Sequence, residues 1–404
     1  MKNKINQQML LLAVAGSVSA GAWALDPAYI PVVDGVVFTP TLEVIESYDS
    51  NLYGERDNRK SSWVTTLAPT FRLNADGHKS SYQLRYTAER DMFHSSSRDN
   101  NTDHYLSVDA GYRINERNRL VLDASYQRVT DIGASSLLEG RRISDFDKYN
   151  IKSVGGNYTY GADTARMQVD LGLNYDELRF RGESREEEVN RNRERDTTSL
   201  SSTFYYRVAP RTSLLLEGQY TDYDYVRFSK RDSTNLALMA GARWESTATT
   251  AGHFKVGRER KKFKNSYSSG KGFKDKTGNR WEAGVTWSPL SYSTVRFNTR
   301  RGIIEADGDA SNIRLQVYEL DWQHYWRERL YSNVELGHRK FIFQRNEYGT
   351  RHQEKLKTQG VKMTYEMRRW LDISMGYTHY QQDSNSREIR YGRDVYTLAF
   401  QVSL

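Results

Sequence analysis

Charged side chains that alternate with apolar ones carry the most evident chemistry in this sequence. From Arg280 to Trp287, the polar residues Arg280, Glu282, Gly284 and Thr286 alternate with Trp281, Ala283, Val285 and Trp287. In an extended strand such side chains point to opposite faces, so one face is charged and the other is apolar. The charged face offers weak, exchangeable contacts to hydrated ligands, and the apolar face suits lipid.

Motifs for covalent, redox or metal chemistry are absent from the sequence. It contains no His-Glu-x-x-His helix, phosphate loop, dinucleotide fingerprint or Gly-x-Ser-x-Gly elbow. The sequence has no cysteine, and its 8 histidines are scattered. We therefore predict no catalytic residue, no metal site, no cofactor and no enzymatic activity. An enzyme built from dispersed Asp, His and Ser residues is kept as an alternative.

The N-terminus has the three parts of a secretory signal. Lys2 and Lys4 precede an apolar run over residues 9–15, and small residues lead to Ala24. We predict a signal peptide over residues 1–24, cleaved after Ala24. No stretch has the roughly 20 apolar residues that a membrane helix needs. Residues 25–34 are expected to form a periplasmic lead-in or an inward-folded segment.

Period-two alternation continues from residue 35 to residue 404. The mean hydropathy of −0.79 is low, as expected when lipid-facing and lumen-facing residues alternate. Eighteen segments have strand character, the first near 36–48 and the last near 391–404. Short connections alternate with long, charged or Gly-, Ser- and Asn-rich ones, such as 131–148. The fold class predicted is all-β, a transmembrane antiparallel up-and-down β-barrel of about 18 strands.

This architecture also predicts the location of the protein. Short periplasmic turns and longer outer loops, with an even strand count, place both termini in the periplasm of a Gram-negative bacterium. The expected partners are outer-membrane lipids, lipopolysaccharide and the barrel assembly machinery. The 59 basic and 51 acidic residues are mixed along the chain, which gives no support to a nucleic-acid partner.

A barrel of 16 to 18 strands is wide enough for an aqueous channel. The predicted lumen-facing charges are Arg85, Glu89, Asp123, Asp170, Glu217, Lys255, Glu259, Arg280, Glu282, Arg296, Arg300, Glu335, Arg339, Lys362 and Glu366. Each is either a solvated or mutually paired wall residue or a ligand contact, and the sequence leaves both interpretations open.

Three further features have alternatives that the sequence leaves open. The aromatic side chains near strand ends suit membrane girdles, whereas an inward Tyr205 or Tyr380 could stack on a sugar ring. Residues 258–276 hold eight Lys or Arg and two acids, mostly in a predicted outer loop. That loop would contact lipopolysaccharide phosphates, contact an anionic polysaccharide, or simply be solvated. Pro40 and Pro69 lie inside predicted strands, where we expect bulges or strand ends.

One motif resembles a known family. Residues 47–53 read Ser-Tyr-Asp-Ser-Asn-Leu-Tyr, and residues 61–73 read Ser-Ser-Trp-Val-Thr-Thr-Leu-Ala-Pro-Thr-Phe-Arg-Leu. This pair is similar to the start of the putative beta-barrel porin type two family, whose members occur in exopolysaccharide and capsule biosynthesis loci, including the Vibrio biofilm polysaccharide locus. The family-like residues are Tyr48, Asp49 and Asn51, for which a tight strand-to-loop corner is the simplest role.

The resemblance implies export of an exopolysaccharide or capsular polysaccharide across the outer membrane, together with a periplasmic polysaccharide export protein. From the residues alone, the prediction extends only to a wide channel or scaffold of mixed charge. A general diffusion porin or structural barrel is the first alternative, and an outer-membrane enzyme is the second.

Overall fold

The computed structural model describes residues 29–131, 147–182, 190–244, 249–265, 273–306, 310–344 and 352–403. The predicted signal peptide lies outside these residues. In the described part of the chain, no helix is both long enough and apolar enough to cross a membrane.

Within these residues, one antiparallel sheet contains nineteen strands, and eighteen of them close into a barrel because β19 pairs with β2. The strands are β1 (Ile30–Val33), β2 (Val36–Asp49), β3 (Ser62–Asp76), β4 (Ser80–Phe93), β5 (Asn101–Asn115), β6 (Asn118–Asp131), β7 (Asp147–Tyr160), β8 (Met167–Phe180), β9 (Arg195–Ala209), β10 (Thr212–Tyr225), β11 (Ser233–Trp244), β12 (Thr250–Phe263), β13 (Lys276–Leu290), β14 (Ser293–Ile304), β15 (Asn312–Arg327), β16 (Leu330–Gln344), β17 (His352–Arg368), β18 (Leu371–Ser384) and β19 (Tyr391–Ser403). Short 3₁₀ helices occupy Ser97–Asp99, Ser229–Arg231 and Arg387–Ile389.

The predicted fold class is confirmed, and connection lengths alternate around the barrel as expected. One end carries short turns, such as residues 116–117 and 291–292, and the other carries long connections, such as residues 50–61 and 264–275. We call these the short-turn end and the long-loop end. The described chain begins and ends at the short-turn end. There β1 pairs with residues 36–38 of β2 and extends the wall beyond the end of β19.

The two faces of the wall differ in chemistry, as the alternation predicts. Apolar side chains on the outer face are exposed by about half, including Leu173 at 57% and Leu238 at 59%. The residues between them, such as Asn174 and Met239, face the lumen. Exposed apolar side chains of this kind are expected of a surface that lipid covers. We therefore call this the lipid-facing face.

The two strand prolines are accommodated without a register shift, so the expected bulges and strand ends are not found. Pro40 pairs opposite Phe71 in a continuous β2–β3 register. On its other edge, β2 pairs with β1 through Phe38 and with β19 from Thr41, so Pro40 lies where the partner changes. Pro69 lies in a two-residue gap of the β3–β4 ladder, between Leu67 and Thr70. Both positions need no donor from the missing N–H.

Strands β11 and β12 approach so closely that glycine is required on the lumen face. A Cβ added to Gly257 would lie 1.9 Å from the Leu238 carbonyl oxygen. Gly278 on β13 also faces the lumen, but a Cβ there would have its nearest neighbour at 3.7 Å, the flexible Ile303 side chain.

We predict that Gly257→Ala destabilises the barrel by about 1–3 kcal/mol, because the two backbones must separate. Gly278→Ala is the matched control and should change stability by less than about 1 kcal/mol. Guanidinium unfolding midpoints in detergent micelles measure both. Equal midpoints for the two variants would show that the β11–β12 approach is not constrained as described.

Candidate functional site

The charged residues that were predicted to face the lumen lie on its wall. All fifteen lie on strands, and each has the same parity as the lumen face of its own strand. For example, Glu217 lies between the exposed, lipid-facing Leu216 and a lipid-facing glycine on β10, and Lys255 lies between the exposed Phe254 and Val256 on β12. Placement in the lumen does not by itself show that any of them binds a ligand.

Five of these fifteen residues pair with one another along the wall. Lys255 contacts Glu217 at 3.0 Å and Glu282 at 2.9 Å. Arg280 lies 3.6 Å from Glu259 and also donates to Gln219 at 2.7 Å. Such pairs fix side chains against the wall and leave a surface of low net charge.

Two further arginines pair with acids that the sequence analysis did not single out. Arg296 contacts Asp321 at 2.7 Å, and Arg339 contacts Glu319 at 2.9 Å. Both acids share the parity of the lumen face on β15. The parity rule that selected the other charges would have found them.

Acidic residues face one another on β4 to β6 instead. Glu89 lies directly opposite Asp103 in the β4–β5 ladder, and Asp109 lies directly opposite Asp123 in the β5–β6 ladder. Like charges that face each other across strands repel. Among the described residues, neither Glu89 nor Asp123 forms an ion pair. This acidic sector therefore gives one side of the lumen a negative potential, which favours cations nearby.

The remaining predicted charges do not gather into one site. Asp170 accepts a hydrogen bond from Thr159 at 2.7 Å, and Arg85 donates to Gln83 at 3.3 Å. Arg300, Glu335, Lys362 and Glu366 form no ion pair with any residue in the described ranges.

The two tyrosines considered as sugar platforms both face the lumen and both lie beside arginines. The Arg243 guanidinium lies 3.7 Å from the ring centroid of Tyr205, and Arg393 lies 5.6 Å from that of Tyr380. Arg243 is held in place by a 2.7 Å hydrogen bond to Gln168. One face of Tyr205 is thus covered, which argues against that face as a sugar platform.

A segment between β14 and β15 packs on the lumen side of the wall. We call its described residues, 305–306 and 310–311, the inward segment. Glu305 accepts hydrogen bonds from Tyr225 at 2.6 Å and from the fully buried Lys261. Arg231, in the β10–β11 connection, donates to the carbonyl oxygens of Ala306 at 2.9 Å and Ala310 at 3.4 Å. The segment is therefore tied to β12, two positions from β14 around the barrel, and to β10, four positions from it.

Apolar side chains on the lumen face bury the same segment. Ala306 and Ala310 pack in a cluster whose other members are Ile313, Leu315, Val317, Phe341, Phe343 and Leu356. Three of these, Ile313, Leu315 and Val317, share a face of β15 with Glu319 and Asp321. This change from apolar to charged residues on one face is a sequence signal for an inward-packed segment, and the sequence analysis missed it.

The family-like motif forms the corner where the first and last barrel strands meet. Asp49 is buried and contacts Arg393 of β19 at 2.6 Å. Asn51 is fully buried and donates to the Gly392 carbonyl oxygen at 3.0 Å and to that of Glu55 at 2.7 Å. Tyr48 faces the lipid and packs against Trp63 and Tyr396. The motif therefore has a structural role at the β2–β19 seam.

Tyr53 links the β2–β3 connection to the next long connection, between β4 and β5. Its hydroxyl donates to Asp99, in the 3₁₀ helix between β4 and β5. Burial, and then the hydrogen bond to the Asp99 carboxylate, raise the pKa of Tyr53 to about 12. The phenol therefore stays protonated as a donor.

The basic stretch of residues 258–276 is only partly a loop. Residues 258–263 belong to β12, and residues 266–272 lie outside the described residues. Arg260 pairs with Asp275 at 3.1 Å, and Lys264 pairs with Asp222 at 2.6 Å and Asp224 at 2.5 Å. Lys264 has a raised pKa, with the two carboxylates outweighing the effect of burial. Much of this positive charge is thus already compensated.

The family model described as Putative beta-barrel porin 2 matches residues 33–403. The chain belongs to this family. The family is one of outer-membrane porin-like barrels, in agreement with the closed barrel and its apolar outer face. No curated protein matches the sequence.

Solved structures of outer-membrane proteins resemble this porin-family barrel only in general architecture. OccAB3 of Acinetobacter baumannii is 11% identical, with 92% of this chain and 100% of that chain covered and a TM-score of 0.49. OccK2 (OpdF) of Pseudomonas aeruginosa is 10% identical, covers 91% and 98%, and has the same TM-score of 0.49. The siderophore receptor PirA of Pseudomonas aeruginosa is 10% identical, covers 91% and 80%, and has a TM-score of 0.45.

Among the described residues, no group of three or more His, Asp or Glu side chains is placed to hold a metal ion. The prediction that this porin-family barrel is not an enzyme and needs no cofactor remains a prediction.

We predict that Asp49→Asn weakens the seam by about 3 kcal/mol, because it leaves Arg393 without its buried partner. Asp321→Asn is the matched control. It breaks the pair between Arg296 and Asp321, whose side chains are 41% and 31% exposed, and should cost about 1 kcal/mol or less. Unfolding midpoints in detergent measure both. Similar losses in the two variants would contradict a special role for the seam pair.

We also predict that Arg231→Ala raises single-channel conductance in planar bilayers, because the inward segment loses both carbonyl contacts that hold it inside the lumen. Lys230→Ala, an exposed neighbour in the same 3₁₀ helix, is the control and should leave conductance unchanged. Unaltered conductance in a folded Arg231→Ala barrel would show that the segment does not narrow the path.

Proposed function

We propose that this barrel is the outer-membrane channel for an exopolysaccharide or capsular polysaccharide. The observation that carries the proposal is a hydroxyl- and amide-lined sector of the lumen on β7 to β10. Its inward residues include Ser153, Asn157, Asn174, Ser199, Ser201 and Thr221. Membership of the porin family supports a role in passage across the outer membrane, and the similarity of residues 47–53 and 61–73 to members from polysaccharide loci supports the cargo.

The mechanism we propose is sliding through exchangeable contacts. Sugar hydroxyls both donate and accept hydrogen bonds, as do the serine, threonine and asparagine side chains of this sector. Ser199 and Thr221 already lie 3.3 Å apart, and Ser153 donates to Asp176 at 2.5 Å, so each contact with a sugar replaces one within the wall. Replacement of one hydrogen bond by another has a small net free energy, so a chain is not held at one point.

The orientation and partners belong to the same proposal. We propose that the long loops face the outside and that both termini lie in the periplasm, where a polysaccharide export protein would deliver the polymer. We also propose that the barrel needs no cofactor and has no catalytic activity.

A general diffusion channel is the second candidate, and the acidic sector favours it. The lumen is lined on one side by Glu89, Asp103, Asp109 and Asp123. Acidic linings attract cations whether or not a polymer is present. Such a channel would pass small cations and neutral solutes. Selectivity alone does not separate the two candidates, since a hydrated polysaccharide channel also conducts ions.

The first experiment compares secreted and periplasmic polysaccharide in a clean deletion strain and in the same strain carrying the intact gene. We expect surface polymer to be lost in the deletion strain and restored by the gene, while export of other cargo is normal. Unchanged surface polymer in the deletion strain would overturn the export proposal and leave the diffusion channel.

The absence of cysteine allows a second arm that tests passage through the lumen itself. Ser201 faces the lumen and Ser202 faces the lipid, so Ser201→Cys and Ser202→Cys are matched variants on one strand. A bulky, water-soluble maleimide should reduce secretion in the Ser201→Cys strain and leave the Ser202→Cys strain unaffected. Full secretion by a labelled Ser201→Cys barrel would show that the polymer takes another route.

A further inference from the structure

The lipid-facing surface carries a group of basic residues at the long-loop end of β16 and β17. We call His338, Lys340, Lys355 and Lys357 the lysine patch. On β16, His338 and Lys340 follow the parity of Leu336, which is exposed by 47% on the lipid-facing face. On β17, Lys355 and Lys357 follow that of Val361, also exposed by 47%. All four side chains therefore project from the outer wall, not into the lumen.

The register places two of these lysines directly against each other. Lys340 pairs with Lys355, and His338 pairs with Lys357, in the β16–β17 ladder. Like charges directly opposite in a sheet repel and destabilise the pairing. An arrangement of this kind is stabilised when an anion lies between the ammonium groups.

Carboxylates of the protein supply only part of that negative charge. Asp383 of β18 lies 3.8 Å from Lys357. Among the described residues, Lys340 and Lys355 form no ion pair. On the other side, β15 presents Gln316 opposite Lys340 and the basic Arg314 one step further along. The patch therefore has three lysines and one carboxylate, leaving an excess of positive charge.

The height of the patch fits a lipid headgroup. Tyr318 is lipid-facing and lies opposite His338, with 6.3 Å between the ring centroids. Between Tyr318 and the short-turn end, the lipid-facing face carries the apolar residues Leu320, Leu336 and Val361. Aromatic side chains mark the interface between the hydrocarbon and the headgroups. The lysines lie at and just beyond that level, where phosphates are found.

We propose that the lysine patch binds the phosphate groups of lipid A in the leaflet at the long-loop end. The choice of lipid A rests on the orientation given under the proposed function, whereas phosphate binding itself does not. Ammonium groups pair with phosphate oxygens through charge-assisted hydrogen bonds, which are stronger than neutral ones. The phosphate would separate Lys340 from Lys355 and relieve their repulsion.

The test uses the full barrel purified in detergent, with binding of bisphosphoryl lipid A measured by native mass spectrometry. The variant is Lys340→Gln with Lys355→Gln. We expect its affinity to fall by about thirtyfold, since each lysine near an anionic lipid surface contributes about fivefold to the affinity. Lys340→Arg with Lys355→Arg should retain binding.

A matched control carries the same change of net charge elsewhere. Lys148 and Lys152 are exposed on the lipid-facing face at the long-loop end of β7, and Lys152 is already paired with Glu177 at 2.8 Å. Lys148→Gln with Lys152→Gln should bind lipid A as the parent barrel does. An equal loss in this control would overturn the site, because net charge alone would then explain the effect.

Two further probes identify the chemistry of the ligand. Monophosphoryl lipid A should bind the parent barrel more weakly than bisphosphoryl lipid A, and phosphatidylglycerol should bind more weakly still. Unchanged affinity on removal of a phosphate, or preference for phosphatidylglycerol, would overturn the lipid A assignment. These measurements are independent of cargo, so their failure and the failure of polysaccharide export are distinguishable.

Discussion

Closure of the sheet between β2 and β19 is the constraint on which the rest of the barrel depends. In lipid, each backbone N–H and C=O must find a partner within the protein, and a sheet satisfies this only when it has no free edge. The first and last strands of the barrel must therefore pair at this seam. The contact between Asn51 and Gly392 there joins residues that are 341 positions apart in the sequence. Buried polar contacts concentrate there: Asp49 with Arg393, and Asn51 with the Gly392 carbonyl oxygen. The most distinctive motif of the sequence thus has a structural role in closure.

Closure also explains how much of the fold could be predicted from the sequence. Because the wall separates lipid from water, side chains must alternate, and the alternation in stretches such as residues 167–176 and 280–287 located strands to within a few residues. The same parity placed all fifteen predicted charges on the lumen face. Parity is a local property, and the sequence displays it directly.

Features that depend on contacts between distant strands were not predictable in this way. The partner of Arg296 is Asp321, on the neighbouring strand, and only the register brings the two together. Likewise, Pro40 was expected to disturb the wall, but the change of partner from β1 to β19 at that position leaves no ladder bond to lose. The opposition of Lys340 and Lys355 is also a consequence of register, which the alternation alone does not fix.

The width of this barrel leaves interior space that narrow barrels do not have. Side chains can fill an eight-stranded barrel, whereas eighteen strands enclose more space than side chains from the wall can occupy. Here part of that space is occupied by backbone, since the inward segment is held by Arg231, Lys261 and Tyr225. Its burial requires apolar residues on the lumen face, which is why Leu315 and Val317 interrupt the polar lining. The lumen is therefore asymmetric: an apolar, segment-covered wall near β15, a hydroxyl-rich wall on β7 to β10, and an acidic wall on β4 to β6. A solute that entered the lumen would therefore meet a different chemistry on each side.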